Sequence, residues 1–94
     1  MFTGIVQGIA TVSSAVDRPG LRSFTLQLPP AFADGLAIGA SVACDGVCLT
    51  VTSRLGDDAA TFDVMQQSLA LTTLAHWRAG SRVNVERAAR DGAE

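Results

Sequence analysis

Lysine and tyrosine are missing from the 94-residue chain, and histidine and tryptophan occur once each, side by side at His76 and Trp77. All seven bases are arginines, which reads as genomic compositional bias rather than as a functional signal. They lie scattered at Arg18, Arg22, Arg54, Arg78, Arg82, Arg87 and Arg90 in a chain of net charge −2. No basic stripe is present to neutralise phosphates, which argues against a nucleic-acid partner. Runs of about 18 apolar residues are also missing, so no membrane-spanning helix is expected. The opening stretch lacks a charged leader, and Gln7 and Gly8 interrupt its apolar run, so it does not read as a secretory signal. Cysteine is scarce: Cys44 and Cys48 form a single C-x3-C without the second ligand pair of a structural zinc site, and no metal is expected. With a turn at Asp45-Gly46, Cys44 faces Val47 and not Cys48, so both are expected as free thiols in a reducing, cytoplasmic setting.

What is present is apolar and β-prone. A hydrophobic fraction of 48% in 94 residues builds one core and one domain. IVQGIATV reads as a first strand bent or bulged at Gly8, ended by a turn at Asp17-Arg18-Pro19-Gly20. In RSFTLQLPP, Phe24, Leu26 and Leu28 alternate with polar residues up to Pro29 and Pro30, and AFADGL follows as a short turn or helical cap. SVACDGVCLTVT is the strongest local signal, a hairpin whose Asp45-Gly46 turn needs positive φ at both positions. Its second strand points Val47, Leu49 and Val51 one way and Cys48, Thr50 and Thr52 the other. ATFDVM is a further strand, with Phe62 and Val64 opposite Asp63 and Met65. Ser68 is expected to cap a short helix that buries Leu69, Leu71, Leu74 and Trp77, and RVNVE returns as a last strand. The expected fold is all-β: a small, Greek-key-like six-stranded β-barrel with one or two short helices. Local patterns do not supply its strand order.

Four strings occur in order: MFTGIV at the start, GASVACDGVCLTVT from Gly39 to Thr52, FDVM at Phe62 to Met65, and VNVERA at Val83 to Ala88. Together they resemble the N-terminal half of the riboflavin synthase family. The resemblance covers nearly the whole chain. It implies an internal duplication of which this chain holds one barrel, with the end at Arg90 to Glu94 reading as a cut at the junction to the second. The reaction implied is a transferase dismutation of two 6,7-dimethyl-8-ribityllumazine molecules into riboflavin and a pyrimidinedione. No metal or redox cofactor enters it, and its main demand is to hold two flat rings in attack geometry.

Carried over by position, the resemblance places the ligand against Gly4, Ile5, Val6, Ser41, Cys48, Leu49, Thr50, Asp63, Val64, Met65, Gln66, Gln67 and Ser68. It assigns catalytic roles to Phe2, Cys48 and Ser68. Glycine at position 4 lets backbone approach a flat ring, and the hydroxyls of Thr50 and Ser68 suit a ribityl chain. The chain departs from the family at Gln67, where Glu is common, and at Ser68, where Thr is. The abrupt MFTGIV start is explained if the opening segment itself lines the pocket and Phe2 reaches a partner barrel. Read from residues alone, Phe2 also suits a plug at the barrel end and Cys48 a small core filler. His76 lies outside the matched segments.

Three functions follow as candidates: the binding barrel of a riboflavin synthase, a stand-alone flavin or lumazine carrier without turnover, or a small adaptor that has lost the ligand. The expected partners are one small-molecule lumazine or flavin and, lacking the second barrel and the family's trimerising helix, a second copy of the chain in a homodimer. Little or no turnover is expected from the single barrel.

Overall fold

Alternation of apolar and polar side chains sets the strands of the computed structural model, which describes residues 2–88. The first hairpin joins β1 (Gly8–Arg18) to β2 (Leu21–Gln27). Pro19 and Gly20 alone form its turn, with Arg18 opposite Leu21. Proline presets φ for the first turn position, and Gly20 supplies φ of +77° at the second. The first strand thus starts later and runs further than the sequence suggested, through Asp17 and Arg18. Its irregularity also lies elsewhere, between Val12 and Ser14. Gly8 answers a packing demand: a Cβ there would sit 3.0 Å from Pro29 Cγ.

A one-turn helix, α1 (Pro30–Ala33), carries the chain to β3 (Ser41–Cys44). Asp45 and Gly46 then take φ of 50° and 84°, the two positive values a type I′ turn imposes, and β4 (Val47–Leu55) returns antiparallel. After β5 (Ala59–Met65) come helix α2 (Gln66–Leu71), a 3₁₀ turn over Thr73–His76, and β6 (Arg82–Arg87). The order β1-β2-β5-β4-β3-β6 closes on itself through β1 and β6, all antiparallel, giving the expected six-stranded barrel with short helices.

The helical excursion differs from expectation in two respects. Ser68 lies inside α2, whose N-cap is Met65 with no side-chain cap. Thr72 is the capping residue, its hydroxyl accepting from the Leu74 amide of the 3₁₀ turn. Leu71 is 78% exposed while Leu69, Leu74 and Trp77 are buried. Residues two apart on a helix point to opposite sides, so once α2 starts at Gln66 and buries Leu69, Leu71 must face outward.

Phe24 and Phe62 sit opposite one another on β2 and β5, both fully buried with Leu26, Val12, Val42, Val51, Val64, Val83 and Val85. Trp77 meets Phe24 edge to face, 5.1 Å between centroids. Its indole Nε1 donates to Asp45 Oδ2 at 3.3 Å, and Asp45 Oδ1 accepts from the Asn84 amide at 2.8 Å. Asp45 therefore pins both the excursion and β6 to the β3–β4 turn. Near the opposite hairpin, the Arg54 guanidinium donates to four backbone carbonyls, those of Ala33, Leu36, Asp57 and Ala59. It ties the α1 loop to the β4–β5 turn.

Candidate functional site

The barrel wall is breached between β4 and β5. β4 and β5 pair only from Val51 opposite Phe62 to Leu55 opposite Ala59, with an irregularity between Val51 and Ser53. Beyond Val51, the flanks hold each strand separately: Val47–Thr50 pair with β3, and Asp63–Met65 pair with β2. The two edges that face each other across the breach are not paired, so their main-chain groups are open to a ligand inserted there.

Alternation decides which side chains line it. Cys48, Thr50, Asp63 and Met65 face outward and are exposed, whereas Leu49 and Val64 turn into the core. Leu49 and Val64 can therefore offer only backbone. Ser41 stands opposite Thr50, setting two hydroxyls side by side. Asp63 accepts from the Ser23 hydroxyl at 2.6 Å, and Ser23 in turn accepts from Arg18 Nε at 3.2 Å, a chain that orients the carboxylate. α2 begins as soon as β5 ends, putting Gln66 and Gln67 exposed and Ser68 half-buried beside the breach. The segments predicted on β4, β5 and α2 are thus gathered at one opening.

The opening residues are held against β6 by a contact the sequence reading missed. Among the described residues Glu86 is the one buried charged side chain, at 5% exposure. Its Oε2 accepts from the Thr3 amide at 2.5 Å and the Thr3 hydroxyl at 2.8 Å, and its Oε1 accepts from the Gly4 amide at 3.0 Å. The Thr3 amide foremost, then the Thr3 hydroxyl and the Gly4 amide, holds the carboxyl below its ordinary range against the opposing effect of burial. On the sequence Glu86 follows Asn84 in the outward phase of VNVER, the pattern of a solvent-facing charge. Only a partner more than 80 residues away buries it.

Glu86 is opposite Ala43, and Ala43 opposite Cys48, so one outward row runs across β6, β3 and β4 to the breach. Ala43 is only 8% exposed although it faces outward, as it must be if the segment held on Glu86 lies across the row. Phe2 is half-buried at the head of that segment, and Gly4 has φ of +82° in open space, with Ile5 and Val6 68% and 52% exposed. His76 is exposed at the end of the 3₁₀ turn and is not among the residues gathered here.

The two thiols separate sharply. Cys44 is buried, donates to the Val42 carbonyl at 3.8 Å, and has its pKa pushed up to about 12, chiefly by burial and then by Asp45 and Cys48. It is the inert core filler. Cys48 is free and exposed, so the core-filler reading fits Cys44 and not Cys48.

A larger cleft of about 610 Å³ lies away from these residues, between α1 and the β4–β5 turn, and its arginine, Arg54, is already engaged with carbonyls. A smaller groove of about 340 Å³ runs from Asp63 over Ser23, Thr25, Thr52 and Thr61, extending the breach with hydroxyls.

A closed antiparallel barrel with a lined opening in its wall defines the class of small β-barrel domains. The chain belongs to the lumazine binding domain family, whose model matches residues 3–88. It is 48% identical over 90 residues to riboflavin synthase of Escherichia coli (strain K12), covering 96% of this chain and 42% of that protein. It is 43% identical over 89 residues to riboflavin synthase of Mycobacterium tuberculosis (strain ATCC 25618 / H37Rv), covering 95% and 44%. The chain thus spans less than half the length of these relatives. Among solved structures it is similar to LumP complexed with riboflavin, at TM-score 0.87 and 26% identity, over all of this chain and 49% of that one. It is also similar to LumP complexed with 6,7-dimethyl-8-(1'-D-ribityl) lumazine, at TM-score 0.83 and 28% identity, over 94% and 49%. No helix among the described residues is long and apolar enough to cross a membrane.

Proposed function

We propose that this chain is the N-terminal ligand-binding barrel of a riboflavin synthase, taking 6,7-dimethyl-8-ribityllumazine or riboflavin one molecule per barrel. The observation that carries the reading is the breach between β4 and β5, lined by the segments that the family resemblance designates. A flat heterocycle with carbonyls and ring nitrogens suits unpaired strand edges, and a polyhydroxyl tail suits Thr50, Ser41, Asp63 and Ser68. The likeness to LumP complexes holding riboflavin and the ribityl lumazine supports the same ligand class. Catalytic participation of Phe2, Cys48 and Ser68, and the cytoplasmic setting suggested by two free thiols, belong to this proposal.

Titration of riboflavin into the purified chain, followed by flavin fluorescence, tests it. Thr50→Val and Ser68→Ala are each expected to weaken binding by about 0.5 to 1.5 kcal/mol, the net worth of one hydrogen bond. Binding by both variants as tight as by the parent would remove the ribityl chain from these hydroxyls.

Self-association is the second part of the proposal. Ile5 and Val6 of the opening segment and Met65 at the end of β5 are exposed apolar surface, which a two-fold copy can cover. Light scattering at micromolar concentration is expected to give the mass of a homodimer. A strict monomer or a stable trimer would contradict it.

A further inference from the structure

The breach, its rim and the opening segment account for every predicted residue, but Glu86 belongs to none of them. Its carboxylate sits on β6, two strands from the breach, and gathers three donors from residues 3 and 4. A carboxylate is acceptor-only on both oxygens, so it can satisfy two backbone amides and a hydroxyl together, and no other charged side chain among the described residues is buried. The Thr3 hydroxyl, bound to Glu86, also accepts from the Ile5 amide at 3.2 Å. The bond network therefore passes from Glu86 through Thr3 to Ile5, the first of the two exposed apolar residues of the opening segment. Further along, Gln7 ties the same segment to β6: its amide donates to the Val85 carbonyl at 2.9 Å, and its Oε1 accepts from the Arg87 amide at 2.9 Å. Between these two anchors lie Ile5 and Val6, both exposed.

We infer that Glu86 is a positioning residue, a clasp that fixes Thr3 and Gly4 over the Glu86–Ala43–Cys48 row so that Gly4 to Val6 form a preset wall of the ligand site. The inference rests on the binding reading given above. Without the clasp the segment is anchored only from Gln7 onward, and ordering it falls to the ligand, which lowers affinity without altering the barrel. Glutamine at position 86 keeps the shape but turns an NH₂ toward one of the donors, so the clasp is broken with the least change in volume.

The test uses the 94-residue chain, Glu86→Gln, Thr3→Pro and the double variant. Thr3→Pro removes the amide and hydroxyl donors from the exposed side of the clasp, where barrel packing is not touched. Hydrogen exchange at the Gly4 and Ile5 amides is expected to speed up in both single variants while the thermal midpoint stays near that of the parent. Riboflavin affinity is expected to fall about tenfold in each, the scale of one charge-assisted hydrogen bond, and the double variant to fall no further than the worse single. Parental affinity in both single variants, additive losses in the double, or unchanged exchange in Glu86→Gln would each overturn the clasp. A parent chain that binds neither riboflavin nor 6,7-dimethyl-8-ribityllumazine overturns the binding reading itself and the inference with it.

Discussion

Incubated with 6,7-dimethyl-8-ribityllumazine, the 94-residue chain on its own is expected to form riboflavin orders of magnitude more slowly than a two-barrel synthase, while still binding the ligand. The dismutation needs one molecule to give a four-carbon unit and another to receive it, so the two sites must offer different groups to the two rings. A symmetric pair of this barrel presents Cys48, Thr50 and Asp63 twice over, and each ring meets the same surroundings. Ground-state affinity then survives while the asymmetric stabilisation of the transition state is lost. The appearance of riboflavin absorbance measures it. A rate close to that of a two-barrel enzyme would make the single barrel self-sufficient, whereas no turnover with firm binding is also what a stand-alone carrier would show.

The second large effect is on stability. Phe24→Ala is expected to cost about 3–5 kcal/mol, the range for emptying a buried aromatic site. Phe24 is fully buried, lies opposite Phe62 and takes the edge-to-face contact of Trp77. Its loss opens space in the barrel and loosens the indole whose other end holds Asp45. A domain of this size has about 5–15 kcal/mol in all, so urea unfolding should show a much lower midpoint. Val16→Ala, at an exposed position on β1, is the comparison that should scarcely move it. Equal midpoints for Phe24→Ala and the parent would displace Phe24 from the centre of the core.

The parts of this molecule that were legible in the sequence are those fixed by neighbours along the chain. Asp45-Gly46 announced its hairpin because few residue pairs tolerate two positive φ values in succession. Phe24, Leu26, Phe62 and Val64 announced their inward faces by alternation, and Cys48 and Thr50 their outward ones. Ser68 misled because its chemistry suits a cap, but where α2 begins is set by β5 and its pairing to β2, which ends with Met65 opposite Leu21. Leu71 was misplaced by the same shift. The breach was not legible at all: pairing that stops at Val51 and Phe62 is a relation between strands, and nothing in CLTVT or FDVM marks it. Glu86 was hidden for a similar reason, since its partners stand at the far end of the chain. The family resemblance designated residues 48–50 and 63–68, and the structure supplies the opening that gathers them.

Among the described residues, the Arg54 guanidinium ends on carbonyl oxygens and on no side chain. Its partners are consequently written in the path of the backbone and not in the identity of Ala33, Leu36, Asp57 or Ala59. Any of those four can drift without removing the acceptor Arg54 uses, and no compensating change elsewhere can replace the arginine, since lysine brings a single point of charge where a planar fork spans two loops. Among descendants of this sequence, tolerance at that corner is lopsided: Arg54 carries the polar constraint alone, core packing limits Ala33, Leu36 and Ala59, and only the exposed Asp57 is free to vary.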